Sequence, residues 1–149
     1  MLDNDNITCV NGMSYSIKYD LVQPCNYCGV PCLGTYLFWY VYQDQHITLE
    51  TDQGSLDLLC DEIIAQTSKS DNYSPLPDFI REMYYCHGWQ DKTDGGILDI
   101  DDFLLAIDIM EQFKDTSFDP EHTRSLLTSL RDLTKESIET SSELWAMDC

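Results

Sequence analysis

Seven cysteines, three histidines and a large surplus of carboxylates are the side chains of this 149-residue chain that could do chemistry. Cys25-Asn26-Tyr27-Cys28-Gly29 has the C-x-x-C-G spacing that lets two thiolates reach one tetrahedral zinc ion. Cys32, Cys60 or the Cys86-His87 pair would have to complete such a site through the fold. With no basic or apolar export signal after Met1, the odd cysteine count reads instead as reduced core and turn thiols plus one terminal thiol, Cys149. Redox chemistry is disfavoured because its dithiol motif opens a helix, whereas Pro31 and Gly34 mark a loop feeding a strand. His46, His87 and His122 stand apart, without a G-x-S-x-G, a phosphate-cradling glycine loop or an H-E-x-x-H. Neither an enzyme nor a resident cofactor is expected.

Asp91-Lys92-Thr93-Asp94-Gly95-Gly96-Ile97-Leu98-Asp99-Ile100-Asp101-Asp102 resembles an EF-hand calcium loop, with Asp first, Gly sixth, an aliphatic eighth, Asp ninth and an acid twelfth. It departs at the ligands: Thr93 and Gly95 replace two of them, and Asp102 is shorter than the bidentate Glu such loops use. A Gly-Gly turn ahead of an acid-capped helix accounts for the same residues.

That helix, from Asp99 to about Phe113, is where the acids become informative. Asp94, Asp99, Asp101 and Asp102 cluster at its start, where carboxylates complement the helix dipole and need no partner. Asp108, Glu111 and Asp115 lie where the dipole disfavours them, and like charges three or four residues apart repel by a few tenths of ~1 kcal/mol. Asp101, Asp108, Glu111 and Asp115 share one stripe, and only Lys114 is near enough in sequence to neutralise it. These seven acids are the predicted partner-binding residues.

The stripe belongs to a wider imbalance. The chain holds 27 acids against 8 bases, a formal charge of −19 and an isoelectric point near 4.1. Fifty residues between Lys18 and Lys69 carry seven acids and no base, and residues 91–121 carry ten acids against Lys92 and Lys114. Such a surface repels phosphates, so direct nucleic-acid binding and docking on anionic membranes are disfavoured, and a basic protein surface is the expected partner. A net charge of about 2–8 already keeps a small domain soluble, so solubility does not account for this much. In size and charge the chain is similar to the DNA-mimic proteins by which phages and mobile elements block restriction or CRISPR complexes, a likeness of physical type without a shared motif. The alternatives are an immunity protein that neutralises a basic, nuclease-type toxin, and a binding module stabilised by zinc or calcium.

Behind these residues the pattern predicts one α+β domain over residues 1–149, strand-rich at 7–50 and helical at 54–146, in the cytoplasm. An antiparallel sheet of three to four strands should form from Ile7 onward: Met13–Tyr19 alternates with period two, Thr35–Tyr42 is aromatic and β-branched, and Ile47-Thr48-Leu49 follows. About four helices should pack on it. Leu56, Leu59, Cys60, Ile63 and Ile64 fall on one face of the first, with Ser55 a candidate cap. The second should start at Pro75 or Pro77, and the nearly all-apolar third should be the one the others pack around. The fourth opens on Asp119-Pro120-Glu121. Trp39, Trp89 and Trp145 read as core or hinge residues, because base-stacking platforms sit in positive grooves.

Overall fold

The computed structural model describes residues 6–10, 13–23, 34–67, 76–85, 96–117 and 119–148. Their order is β1 (Asn6–Val10), β2 (Met13–Leu21), β3 (Thr35–Tyr42), β4 (Gln45–Asp52), α1 (Gln53–Thr67), α2 (Asp78–Tyr85), β5 (Gly96–Ile97), α3 (Ile100–Gln112), a 3-10 turn (Lys114–Thr116), α4 (Pro120–Glu139) and β6 (Trp145–Asp148). The class is α+β, with strands first and helices mostly after them. Two features refine the sequence reading. The sheet has six strands in the order β1-β2-β4-β3-β6-β5, because the helical half returns two strands to its edge. It is also mixed: β2 and β4 run parallel, while the other neighbours are antiparallel.

The β3–β4 hairpin organises the sheet. Tyr42 pairs with Gln45 across a two-residue turn in which Gln43 and Asp44 both take positive φ, 52° and 62°. That geometry follows the right-handed twist of the strands, and its usual Asn-Gly signature is absent here. β4 then passes into α1 without a loop. Asp52 accepts the Ser55 amide at 3.0 Å and the Ser55 hydroxyl at 2.7 Å, so Asp52 caps α1 and Ser55, the expected cap, sits three residues inside.

α3 and α4 begin as their sequences predict. Asp99 accepts the Asp102 amide at 3.1 Å, and Asp119 accepts the His122 amide at 3.1 Å ahead of Pro120. α2 starts at Asp78, with the Pro77 carbonyl accepting the Arg81 amide at 3.2 Å. The end of α4, which the sequence leaves open, is a Schellman turn: Ser141 adopts φ 55°, Ser142 N–H donates to Ser137 O, and Ser141 N–H to Ile138 O. Serine in place of glycine at the left-handed position hides this stop.

All four helices share one core with one face of the sheet. Tyr36, Phe38, Tyr40 and Leu49 meet Leu56, Ile80, Phe103 and Leu130 there. Phe38, Phe79 and Phe103 form its centre, with ring centroids 4.8–6.2 Å apart. α3 touches each of the other helices, as its composition predicts. On the opposite face Leu37, Trp39 and Met147 bury a smaller cluster with Ile17 and Trp145, to which no described helix contributes. Trp39 and Trp145, a cross-strand pair, stack at 6.1 Å and 10°. No described helix is long and apolar enough to cross a membrane.

Candidate functional site

The predicted acids separate into two kinds. Asp99 is the α3 cap. Asp102, from the first turn of α3, accepts the amides of Asp78 and Phe79 at 2.8 and 2.9 Å and so caps α2 as well. These carboxylates would be the ligands at positions nine and twelve of the calcium-like loop, and both are committed to backbone amides. Asp108 and Glu111 converge on Arg131 of α4, at 2.7 and 3.4 Å. Hydrogen bonding to Asp108 is the main reason the Arg131 pKa is raised. The expectation that only Lys114 could neutralise the stripe is therefore corrected: Lys114 reaches the Glu111 carbonyl, at 3.4 Å, and the counter-charge comes from the neighbouring helix.

Asp101 and Asp115 are exposed and make no ion pair or hydrogen bond among the described residues. With Asp108 they recur every seven residues, and the exposed Leu105 and Gln112 fall between them. Neither α1 nor α3 contains a lysine or arginine; the two helices touch, and α1 also touches the 3-10 turn that carries Asp115. Asp94 lies outside the described residues, as do Cys25, Cys28, Cys32, Cys86, His87, Asp91 and Cys149. Cys60 is a buried free thiol whose pKa burial pushes up, with help from Asp57 and Asp61. Among the described residues no group of three metal-ligating side chains comes together.

Two polar clusters escaped the sequence reading. In the first, Glu136 of α4 accepts hydrogen bonds from Tyr19 at 2.5 Å and Tyr40 at 2.9 Å, and pairs with Lys18 at 2.9 Å. Lys18 and Tyr19 are consecutive and would ordinarily point to opposite faces of β2. The β2–β4 register shifts between Ile17 and Tyr19, and this bulge lets both reach one carboxylate. Burial works to raise the Glu136 pKa, but the bonds from Tyr19, Lys18 and Tyr40 outweigh it and hold it low. Burial and the bond to Glu136 push Tyr40 up to about 12.

The second cluster surrounds Asp52, which also accepts the Gln23 amide at 2.9 Å and has His122 Nε2 3.3 Å away without an aligned hydrogen bond. Gln23 Nε2 donates in turn to Asp119 at 2.8 Å. Although burial opposes it, these partners hold Asp52 at about 2. Ser55, His122 and Asp52 are the residue types of a nucleophilic relay in the wrong order. The serine hydroxyl donates to the carboxylate and not to the imidazole, so His122 is not placed to take its proton. The cluster fastens the ends of β2 and β4 to the starts of α1 and α4.

A third group, His46, Thr48 and Glu50 on the helix-free face of β4, is polar and lacks hydrogen-bond partners among the described residues. Its only sequence signal is the polar–apolar alternation of Gln45–Asp52, which in an edge strand would be an ordinary wet face. No known protein family matches the chain, and neither the curated proteins nor the solved structures hold a detectable relative.

Proposed function

We propose that this protein is an acidic, non-enzymatic inhibitor that presents carboxylates where a nucleic acid presents phosphates, and so blocks the basic groove of a DNA- or RNA-binding defence complex in the cytoplasm. The observation that supports the reading is the placement of charge on rigid elements: α1 and α3 lie against each other and carry no base. Asp101 and Asp108 mark one ridge of α3, about 10 Å apart at ~1.5 Å of helix rise per residue, and Asp115 extends the charge onto the 3-10 turn that follows. A groove built for duplex DNA meets one phosphate charge per ~1.7 Å of axis, so a decoy needs many carboxylates held over a broad surface. The partner is a basic protein; nucleic acid and membranes are not bound, and no cofactor takes part.

The test uses purified restriction and CRISPR effector complexes as probes. The protein is expected to bind one of them, to be displaced by duplex DNA and to lose affinity steeply with added salt. Asp101→Asn with Asp115→Asn removes two unpaired charges while leaving Arg131 its partners, and should weaken binding several-fold while the protein stays folded, with at most the small loss of stability that a first-turn charge on α3 contributes. Binding that duplex DNA does not displace, or that is insensitive to salt, would sink the decoy mechanism.

A further inference from the structure

The helix-free face of the sheet carries polar side chains that folding leaves unsatisfied. β4 is a central strand, bonded to β2 on one side and β3 on the other. Its alternation sends Ile47 and Leu49 toward the helices and His46, Thr48 and Glu50 to the other face. Thr48 is 1% exposed and its hydroxyl has no hydrogen-bond partner; His46 Nδ1 is buried without one. Glu50 is half-buried and has neither a hydrogen bond nor a counter-charge among the described residues. The residue directly opposite it on β2 is Asp20, a second carboxylate, which with burial raises the Glu50 pKa. Like charges in register repel, and a buried polar atom without a partner is the exception in a folded protein.

These groups share one chemistry. Carboxylates only accept hydrogen bonds, and a hydroxyl oxygen and a neutral imidazole nitrogen can accept them too. What fits is a cation that only donates. Strands lie ~4.8 Å apart and same-face neighbours along a strand about 6–7 Å apart, so Glu50 and Asp20 suit the fork of one guanidinium, with Thr48 next in the row. The planar fork, which a compact ammonium lacks, is what favours a guanidinium here; Trp39, 6.4 Å from the His46 ring and 4% exposed, closes the row on the β3 side.

We propose that Asp20 and Glu50, with Thr48 and His46 behind them on the helix-free face of the sheet, form a socket for an arginine side chain of the basic partner protein. The source of the arginine rests on the function proposed above; the socket rests on the register of Asp20 with Glu50 and on the unpartnered Glu50, Thr48 and His46, Asp20 itself accepting only the Val22 amide, at 3.3 Å.

Nuclear magnetic resonance titration with ethylguanidinium at fixed ionic strength, with n-butylammonium as the control, tests it. Saturable shifts should concentrate at Asp20, Thr48 and Glu50, and the ammonium should bind more weakly. Glu50→Gln and Asp20→Asn should each lower guanidinium affinity about tenfold with the amide spectrum otherwise preserved, while Glu139→Gln, at the exposed end of α4, leaves it as in the parent. Shifts spread evenly over exposed acids such as Asp101 and Asp115, or Glu50→Gln and Asp20→Asn proteins that titrate as the parent does, overturn the socket. A partner complex whose affinity Glu50→Gln leaves unchanged overturns the arginine as occupant. Failure of duplex DNA to displace the partner sinks the decoy reading alone, because the guanidinium titration does not depend on it.

Discussion

Asp52 and Glu50 sit two residues apart on one strand, and the fold treats their carboxylates in opposite ways. Asp52 is the more buried, yet donors from the end of β2, the first turn of α1 and the start of α4 surround it, and its negative charge is stabilised. Glu50 keeps more contact with water but faces only another acid. Burial therefore does not decide whether a charge supports the fold; the donors around it do. The two faces of the sheet differ in the same sense. On the helix-covered side the carboxylates of Glu136 and Asp52 gather donors, although His122 Nε2 beside Asp52 lacks an aligned hydrogen bond, while the other face leaves His46, Thr48 and Glu50 without hydrogen-bond partners. An unsatisfied row on a central strand is a poor device for stability, which directs attention to binding.

The largest expected effect lies on the helix-covered face. Phe103→Ala removes the ring that packs on both Phe38 and Phe79 at the centre of the core and should cost about 3–5 kcal/mol by denaturant unfolding. A loss below about 1 kcal/mol would mean that the helices hold less tightly to the sheet than their packing implies. Asp52→Ala comes next, at about 2–3 kcal/mol, since it uncaps α1 and strands the donors of Ser55 and Gln23. Its pH dependence follows from the depressed pKa. The folded protein holds Asp52 at about 2, so its contribution is complete above the ordinary value of 3.8 and fades as pH falls toward 2. Parent and variant should converge in acid; a gap that persists at pH 2 would assign the loss to packing. Asp102→Ala, which uncaps α2 and leaves the Asp78 and Phe79 amides without acceptors, should cost about 1 kcal/mol and loosen α2 in hydrogen exchange before the rest.

Local signals made much of this legible. Asp99 and Asp119-Pro120 announce their helices because a cap acts over three residues, and the apolar character of α3 announces its central place. What the sequence hides is pairing over distance. Arg131 neutralises Asp108 across 23 positions, and Asp102 caps a helix that begins 24 residues before it. β5 and β6 are too short to show a period, and the parallel β2–β4 pair depends on β4 entering the sheet between β2 and β3. The alternation of Gln45–Asp52 was visible, but nothing in it says that the strand is central, and only that placement makes its polar face unusual.

The smallest effect is the sharpest test of the comparison, because its sign is reversed. Glu50→Gln keeps shape and removes a half-buried charge that lacks a counter-ion, so it should raise stability at neutral pH by about 0.5 kcal/mol. Burial and Asp20 raise the Glu50 pKa above its ordinary value of 4.5. A raised carboxyl contributes fully while protonated, below that ordinary value, and the contribution is lost as pH climbs through the folded pKa. Parent and variant should therefore unfold at the same denaturant concentration near pH 4 and separate as pH rises toward 7, with the variant more stable. Asp52→Ala separates from the parent over a lower range and in the other direction. If Glu50→Gln instead destabilises the protein at pH 7, Glu50 has a donor in the fold, and the contrast between the two carboxylates disappears.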